Sequence, residues 1–325
     1  MLTHSFVRKS IYLLGALYLT IGVAARELPV VSPESADMSA TKLSKVDGII
    51  EELRQQKKLA GATVMIARHG KIVYFKTFGK MDLEADKPMR EDTIFRIYSM
   101  SKAITTAAAL ILYEEGKLGL DEPVSKYVPD FKGIKVWNPA GKVAPTREPT
   151  IRDLMRHSAG LTYGIFGDSP VDKLYREANV LGRNDDLKDI CAKLGKLPLQ
   201  YDPGTKWVYS VAVDVLGRVI EVASGMTFDA FLQKRLFAPL EMRDTGFYVP
   251  GDKVERLAAI YRSDGNGTLT PAETRAASPY LTKPKLLSGG GGMVSTTRDY
   301  MRFLEMIAQG GELQGVRIRN PKPWH

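Results

Sequence analysis

One continuous stretch of the sequence decides the fold: residues 95–102 read FRIYSMSK, and they lead into the run AITTAAALILYEEG at residues 103–116. This run places apolar residues on nearly every face of a helix, and its last residue, Gly116, is typical of a helix end. Such a helix belongs inside a domain, because none of its faces suits contact with water. The sequence therefore predicts a buried central helix that begins near Ser99.

The first turn of this helix carries a pair of residues suited to nucleophilic chemistry. Ser99 and Lys102 are three residues apart, so their side chains share one helix face. A serine hydroxyl is a weak nucleophile until a base takes its proton, and an amine is such a base only when it is neutral. Burial and the positive end of the helix dipole both favour the neutral amine. The pair predicts acyl transfer to Ser99, whose backbone N–H would be one oxyanion donor. The alternative from these letters alone is a helix cap at Ser99 with a solvated Lys102.

Signals on both sides of the central helix predict an α+β fold, an α/β sandwich. Upstream, residues 42–58 have the spacing of an amphipathic helix, and residues 62–67 and 71–76 are β-rich runs that flank a turn. Residues 119–203 have the pattern of shorter helices and loops. Later helices are predicted at residues 211–224, at 228–236 and after the capping pattern at 296–299. We expect an antiparallel sheet flanked by helices, together with a helical subdomain.

Four segments, in the same order, resemble motifs of the serine β-lactamase-related group. This group includes class C β-lactamases, low-molecular-weight penicillin-binding proteins, D-alanyl carboxypeptidases and the family VIII esterases. The matching segments are residues 95–102 (FRIYSMSK), 151–161 (IRDLMRHSAGL), 201–210 (YDPGTKWVYS) and 289–296 (GGGGMVST). The resemblance implies a serine hydrolase that forms an acyl-enzyme on Ser99, with Lys102 beside it.

The resemblance also identifies Tyr209 as the tyrosine of the group's second motif. Its phenol would lie beside Ser99 and Lys102, where it passes a proton to the leaving group or acts as the base. From the residues alone, Tyr209 also fits a packed aromatic. Two positions after this tyrosine the group usually has Asn, and here Val211 stands. A side chain that would hydrogen-bond a substrate amide is therefore missing, which favours esters over β-lactams and peptides.

The remaining residues argue against other kinds of site. Two of the four histidines lie near the ends of the chain, so a Ser-His-Asp triad would need His69, expected in an exposed turn, or His157, expected to be structural. No His, Cys or Glu spacing indicates a metal, and no cofactor is expected. The single cysteine, Cys191, has the spacing of a buried helix position.

Charge indicates which partners to expect. The formal net charge is +9, but the Lys and Arg residues are scattered among acids without a long basic run. A nucleic-acid partner is therefore not expected. The expected partner is a small-molecule ester, a β-lactam or a peptidoglycan peptide.

The N-terminal region has the three parts of a secretory signal peptide. Arg8 and Lys9 precede an apolar run at residues 11–25 that ends in small residues. The run is shorter than the ~20 apolar residues that a spanning helix needs. We expect residues 1–25 to be a cleaved signal, the protein to be periplasmic or secreted, and no stable membrane span to remain.

The domain is predicted to occupy residues 41–325 after a linker at residues 26–40. The group's third motif, Lys-Thr-Gly or His-x-Gly on a strand that supplies the second oxyanion donor, is not found after Gly292. We therefore expect a C-terminally truncated form of the group's fold. Loss of one oxyanion donor typically slows such enzymes by ~10²–10³-fold, so impaired catalysis and a remnant that only binds are both open alternatives.

Overall fold

The fold combines helices with short antiparallel strands. The computed structural model describes residues 27–182 and 184–319, so the predicted signal peptide lies outside the described residues. The described helices are α1 Ala40–Leu43, α2 Lys45–Gln55, α3 Ser101–Glu114, α4 Ile151–Met155, α5 Pro170–Glu177, α6 Leu187–Leu194, α7 Ala212–Ser224, α8 Phe228–Leu232 and α9 Thr297–Ala308. The described strands are β1 Gly61–Arg68, β2 Lys71–Asp82, β3 Lys87–Pro88, β4 Ile94–Arg96, β5 Val136–Asn138, β6 Gly141–Val143, β7 Ile260–Ser263, β8 Leu269–Glu273, β9 Val294–Thr296, β10 Glu312–Leu313 and β11 Val316–Arg317.

The predicted hairpin is the centre of the main sheet. Strands β1 and β2 pair in antiparallel fashion, and β3 adds to the far edge of β2. The connecting residues His69 and Gly70 both have positive φ, as a two-residue hairpin turn requires. His69 is exposed there, as expected from the sequence.

Helices cover both faces of this sheet, which confirms the predicted sheet flanked by helices. Val73 and Tyr74 of β2 pack with Leu43 on one face. On the other face Ile72 joins the main core, to which Met306 of α9 also belongs. A two-stranded hairpin alone is marginal in water, so these two helical layers stabilise the sheet.

Part of the segment predicted as a linker is an ordered layer of the domain. The Val31 N–H donates to the Ile72 carbonyl at 2.9 Å, and the Ile72 N–H donates to the Pro29 carbonyl at 2.8 Å. A 3₁₀ turn follows at Pro33–Ala36, and Leu28 and Ala36 are buried. This order was not predicted, because only two buried residues anchor the segment and two residues cannot show a hydrophobic periodicity.

The central helix lies where the sequence predicted it. Ile104, Ala108 and Leu112 of α3 are fully buried, and α3 packs against α7. Around α7 pack α4, α6 and α8, which form the helical part of the fold. Cys191 of α6 is buried in the same core, as its spacing indicated.

A two-stranded pair brings the two distant motifs of the site together. Strand β4 ends just before Ser99, and β9 begins just after the glycines at residues 289–292. The two strands are antiparallel, and the Ile97 N–H extends the pairing by donating to the Met293 carbonyl at 3.0 Å. The glycine turn is thereby fixed next to the start of α3. Among the described residues, none of the helices has the length and apolar character that a bilayer span requires.

Candidate active site

Ser99 is an exposed residue at the start of a buried helix. It lies in a 3₁₀ turn, Tyr98–Met100, that runs directly into α3. Tyr98 has φ of 42°, a left-handed conformation that is uncommon for an aromatic residue. Such strain persists only where the surrounding structure imposes it, and it is often found at functional sites. The chain thus turns sharply from β4 into α3, with Ser99 accessible at the turn.

Three side chains singled out from the sequence meet at this turn. The Ser99 Oγ lies 2.5 Å from the Tyr209 Oη. The Lys102 Nζ donates to the Ser99 Oγ at 3.2 Å and lies 4.6 Å from the centre of the Tyr209 ring. Lys102 is half-buried, so a cap at Ser99 with a solvated Lys102 does not describe this geometry. The arrangement provides a nucleophile beside a phenol that can carry its proton and an amine that donates a hydrogen bond to its oxygen.

A further contact of Lys102 could not be read from the sequence. Its Nζ donates to the backbone carbonyl of Gly290 at 2.5 Å. With Ser99 on one side and Gly290 on the other, the amine has a fixed position.

Tyr209 has an altered acidity in this setting. Burial opposes ionisation of its phenol, but hydrogen bonding to Lys102 and Ser99 and the charge of Lys102 outweigh burial, so the pKa of Tyr209 lies below its usual value of 10.0. With a lowered pKa, more of this tyrosine is ionised at moderate pH than of an ordinary tyrosine, and the phenolate is the form that can accept a proton. Tyr209 can therefore take the Ser99 proton directly across the 2.5 Å contact.

His157 has a supporting position rather than a catalytic one. Its Nδ1 accepts a hydrogen bond from the Ser210 N–H at 3.2 Å, which places the ring proton on Nε2. Burial, and then the charge of Lys102, lowers the pKa of His157 to about 4. The neutral ring packs 4.9 Å from the Tyr209 ring, centre to centre. From the sequence we expect a structural His157, and in the structure its ring accepts from a backbone N–H next to Tyr209.

The loop that carries His157 is held by a buried carboxylate. Asp153 caps α4 together with Thr150 and pairs with Arg147 at 2.5 Å. It also accepts from the Ser158 Oγ at 2.8 Å. Burial would raise the pKa of Asp153, but Arg147 and these hydrogen bonds lower it to about 2. The loop therefore depends on an ionised Asp153.

The surroundings of the three residues are largely apolar. Phe166 and Trp207 flank Tyr209, and they are 71% and 69% exposed, so they form a rim on this side of Ser99. Next to Tyr98 is a cavity of about 470 Å³, lined by Arg96, Tyr98, Leu181, Phe247, Glu273, Pro279, Tyr280, Pro284, Leu286 and Gly292. Ser99 thus has an aromatic rim on the Tyr209 side, and the cavity adjoins it only through Tyr98, the residue before it, because Ser99, Lys102 and Tyr209 are not among the residues that line the cavity. In the part of the chain that the structure describes, no group of His, Cys, Asp and Glu residues is arranged to hold a metal ion.

Known proteins are similar to this chain in sequence and in fold. Esterase EstB of Burkholderia gladioli is 34% identical over 296 residues, which cover 85% of this chain and 73% of the relative. The ML-236A carboxylate methylbutanoyltransferase mlcH of Penicillium citrinum is 31% identical over 292 residues, 85% of this chain and 68% of the relative. Among solved structures, EstCE1, a hydrolase with promiscuous acyltransferase activity, superposes with a TM-score of 0.72 at 29% identity, over 85% of this chain and 74% of its own.

These proteins are an esterase, a methylbutanoyltransferase and a hydrolase with promiscuous acyltransferase activity, and the fold of this chain is that of the serine β-lactamases and penicillin-binding proteins. The family model for beta-lactamases matches residues 46–324, a range that contains every motif of the site. On this match and on its relatives, the chain belongs to the beta-lactamase family.

Proposed function

We propose that the protein is a serine esterase that forms an acyl-enzyme on Ser99. One observation carries the proposal: the Ser99 Oγ meets the Tyr209 Oη at 2.5 Å and the Lys102 Nζ at 3.2 Å at the same time. A serine that only caps a helix has no need of two such partners. The relative named esterase EstB supports the same class of reaction.

Acylation follows from these contacts. The Ser99 Oγ attacks the ester carbonyl while its proton passes to the Tyr209 oxygen, and the Lys102 ammonium stabilises the phenolate that accepts it. The Ser99 backbone N–H donates a hydrogen bond to the developing oxyanion. The positive end of the α3 dipole, which lies next to Ser99, also stabilises this negative charge. Tyr209 then gives the proton to the departing alkoxide. The acyl–oxygen bond breaks, and the acyl group stays on Ser99.

Deacylation repeats these steps with water. A water molecule gives a proton to Tyr209 and attacks the acyl carbonyl, and the proton returns to the Ser99 Oγ as the acid leaves. The same three residues therefore act in both halves of the reaction. An alcohol in place of water would give acyl transfer instead of hydrolysis.

An ester is the preferred substrate because of what surrounds Ser99. Val211, which is fully buried, occupies the position where an amide-binding Asn is usual. The cavity beside Tyr98 is large enough for a small acyl group and has mostly apolar walls. β-Lactam hydrolysis and D-alanyl peptide cleavage are the enzyme alternatives. A non-catalytic binding role is the alternative of another class.

Acyl transfer is a second candidate for one structural reason. The exposed rings of Phe166 and Trp207 lie on the Tyr209 side of Ser99, where the alcohol leaves and an acceptor alcohol would enter. An apolar acceptor gains from contact with these rings, whereas water does not. The relative named as a methylbutanoyltransferase is consistent with this reaction.

The experiment compares three substrates on the purified protein: p-nitrophenyl butyrate, nitrocefin and a fluorescent penicillin. Ser99→Ala is the test variant, and Ser35→Ala, an exposed serine elsewhere, is the matched control. We expect turnover of the butyrate ester, retained by the control and lost in Ser99→Ala. Labelling that survives Ser99→Ala would exclude Ser99 as the nucleophile, and no turnover or labelling by wild type would favour the binding role.

We also propose that the protein is exported, which the pattern of residues 1–25 supports. Expression of the full chain with a cytoplasmic marker protein tests this. Recovery of the chain, shortened by cleavage after Ala25, in the periplasm or the medium is the expected result. Full-length protein that stays with the cytoplasmic marker would contradict export.

A further inference from the structure

A buried carboxylate next to the site has no role in the reaction described above. Asp214 is fully buried in the first turn of α7. Its Oδ1 accepts from the Ser288 Oγ at 2.5 Å and from the Gly290 N–H at 3.0 Å. An acid in the first turn commonly bonds back to its own helix start, but α7 has no side-chain cap. Both of these hydrogen bonds of Asp214 instead reach the glycine turn, one at Gly290 and one at Ser288, the residue just before the glycines.

The glycine turn is clamped between two helices. On the α3 side, the Lys102 Nζ donates to the Gly290 carbonyl at 2.5 Å, and Thr105, one turn along, donates to the Gly289 carbonyl at 2.9 Å. On the α7 side, Asp214 holds the Gly290 N–H. Gly290 thus donates its N–H to Asp214 and accepts a hydrogen bond from Lys102 with its carbonyl.

The turn fits this space without any side chain. A Cβ on Gly290 would lie 2.5 Å from the Asp214 Oδ2 and 2.9 Å from the Tyr163 Oη. A Cβ on Gly289 would lie 2.7 Å from the Val213 carbonyl oxygen. These approaches explain why glycine occupies both positions, and they show that the turn is pressed directly onto Asp214.

Burying this carboxylate is costly, since a charge or an unpaired polar atom in the interior loses its hydration. Burial raises the pKa of Asp214, although Ser288, Gly290 and Lys102 act in the opposite direction. Among the described residues, the Asp214 Oδ2 has no hydrogen-bond partner. What Asp214 gains in return for this cost is its pair of hydrogen bonds to Ser288 and Gly290.

We propose that Asp214 is a positioning residue for Lys102, acting through the glycine turn, an inference that rests on the function proposed for Ser99. Its Oδ1 fixes the Gly290 peptide, and the Gly290 carbonyl fixes the Lys102 amine within reach of the Ser99 Oγ. Asp214 touches neither the substrate nor the nucleophile.

The test compares Asp214→Ala with Asp214→Asn in the full chain. The matched control is Asp299→Ala, which removes another buried acid in the first turn of a helix, one that bonds Asp244 and Thr245 instead of the glycine turn. Melting temperature, folded fraction, and kcat and KM for p-nitrophenyl butyrate are measured for each. Crystal structures of wild type and both Asp214 variants give the distance from the Lys102 Nζ to the Gly290 carbonyl oxygen.

Asp214→Ala should lower kcat per folded molecule by about 10- to 100-fold with little change in KM, since misplacing a catalytic group by 1 Å can cost ~10²-fold. Asp214→Asn keeps an oxygen acceptor and should recover most of the rate. Asp299→Ala should lower the melting temperature only. In crystals, the Gly290 carbonyl should move away from Lys102 in Asp214→Ala and stay in Asp214→Asn.

Several results would overturn the positioning role. An unmoved turn in Asp214→Ala, a rate per folded molecule equal to that of Asp299→Ala, or an Asn variant as slow as the Ala variant would each do so. Wild-type turnover and its loss in Ser99→Ala are measured alongside. If wild type has no turnover, the proposed function fails, and the crystallographic distances still decide the role of Asp214.

Discussion

Replacing Tyr209 with phenylalanine separates the chemistry of the site from its packing. The change removes one oxygen atom, the one that lies 2.5 Å from the Ser99 Oγ. The ring remains, with its contacts to His157, Trp207 and Phe166. The variant therefore tests proton transfer with the least disturbance of the surrounding structure.

The expected loss follows from the role of the oxygen. A positioned general acid–base contributes ~10²–10⁴-fold, so kcat/KM for p-nitrophenyl butyrate should fall by that factor, or about 3–5 kcal/mol of transition-state stabilisation. One partly exposed hydrogen bond is worth only about 0.5–1.5 kcal/mol of stability. The melting temperature should therefore change little. The measurement is a burst-phase assay that separates acylation from turnover, together with a thermal melt.

The pH dependence gives a second readout of the same variant. Because the pKa of Tyr209 lies below its usual value, the phenolate is populated at lower pH than for a free tyrosine. In wild type, kcat/KM should rise with pH as Tyr209 ionises and level off below pH 10. The rise should be lost in Tyr209→Phe. A loss of less than about fivefold with an unchanged profile would refute the role of Tyr209 as proton carrier.

Three further predictions test the supporting structure. The folded-state pKa of Asp153 is about 2, whereas its ordinary value is 3.8. The ionised Asp153 therefore stabilises the folded state by roughly 2 kcal/mol. This stabilisation is present above pH 4 and is lost as the pH falls towards 2. The free energy of unfolding in urea should therefore decrease from pH 4 to pH 2 for wild type, and this decrease should be absent in Asp153→Asn. Plots of unfolding free energy against pH that are parallel for the two proteins would contradict the prediction. The His157 ring should titrate by NMR with a midpoint of about 4, and a midpoint near 6.5 would mean that it is not buried against Lys102. Leu286→Trp narrows the cavity beside Tyr98, so activity on p-nitrophenyl octanoate should fall relative to the acetate, whereas an unchanged ratio would place the acyl group elsewhere.

Structural elements that depend on residues close together in the sequence were predictable. The apolar run of α3 and the hairpin of β1 and β2 follow from periods that a short segment carries by itself. Helical spacing placed Ser99 and Lys102 on one face, and the apolar run that follows them argued against a solvated Lys102. Tyr209 needed the resemblance, because 110 positions separate it from Ser99. No local pattern shows which distant ring meets a given serine.

Contacts between residues that are distant in the sequence were missed for the same reason. The Gly290 carbonyl reaches Lys102 across 188 positions of sequence, and a backbone atom leaves no mark in the residue letters. Asp214 reads as an ordinary acid in a helical first turn, since its partners lie in the glycine turn. In the predicted linker only Leu28 and Ala36 are buried, and two residues cannot show a hydrophobic periodicity, so its order was not predicted.

The central claim is that substrate is transferred to Ser99 with the help of Lys102 and Tyr209. Rapid quenching with p-nitrophenyl butyrate, followed by mass spectrometry of the digested protein, tests it most directly. We expect a butyryl group on the peptide that contains Ser99 in wild type, and a much slower appearance of that group in Tyr209→Phe and Lys102→Ala. A butyryl group on another residue, or ester turnover with no acylated protein at any time, would contradict the account.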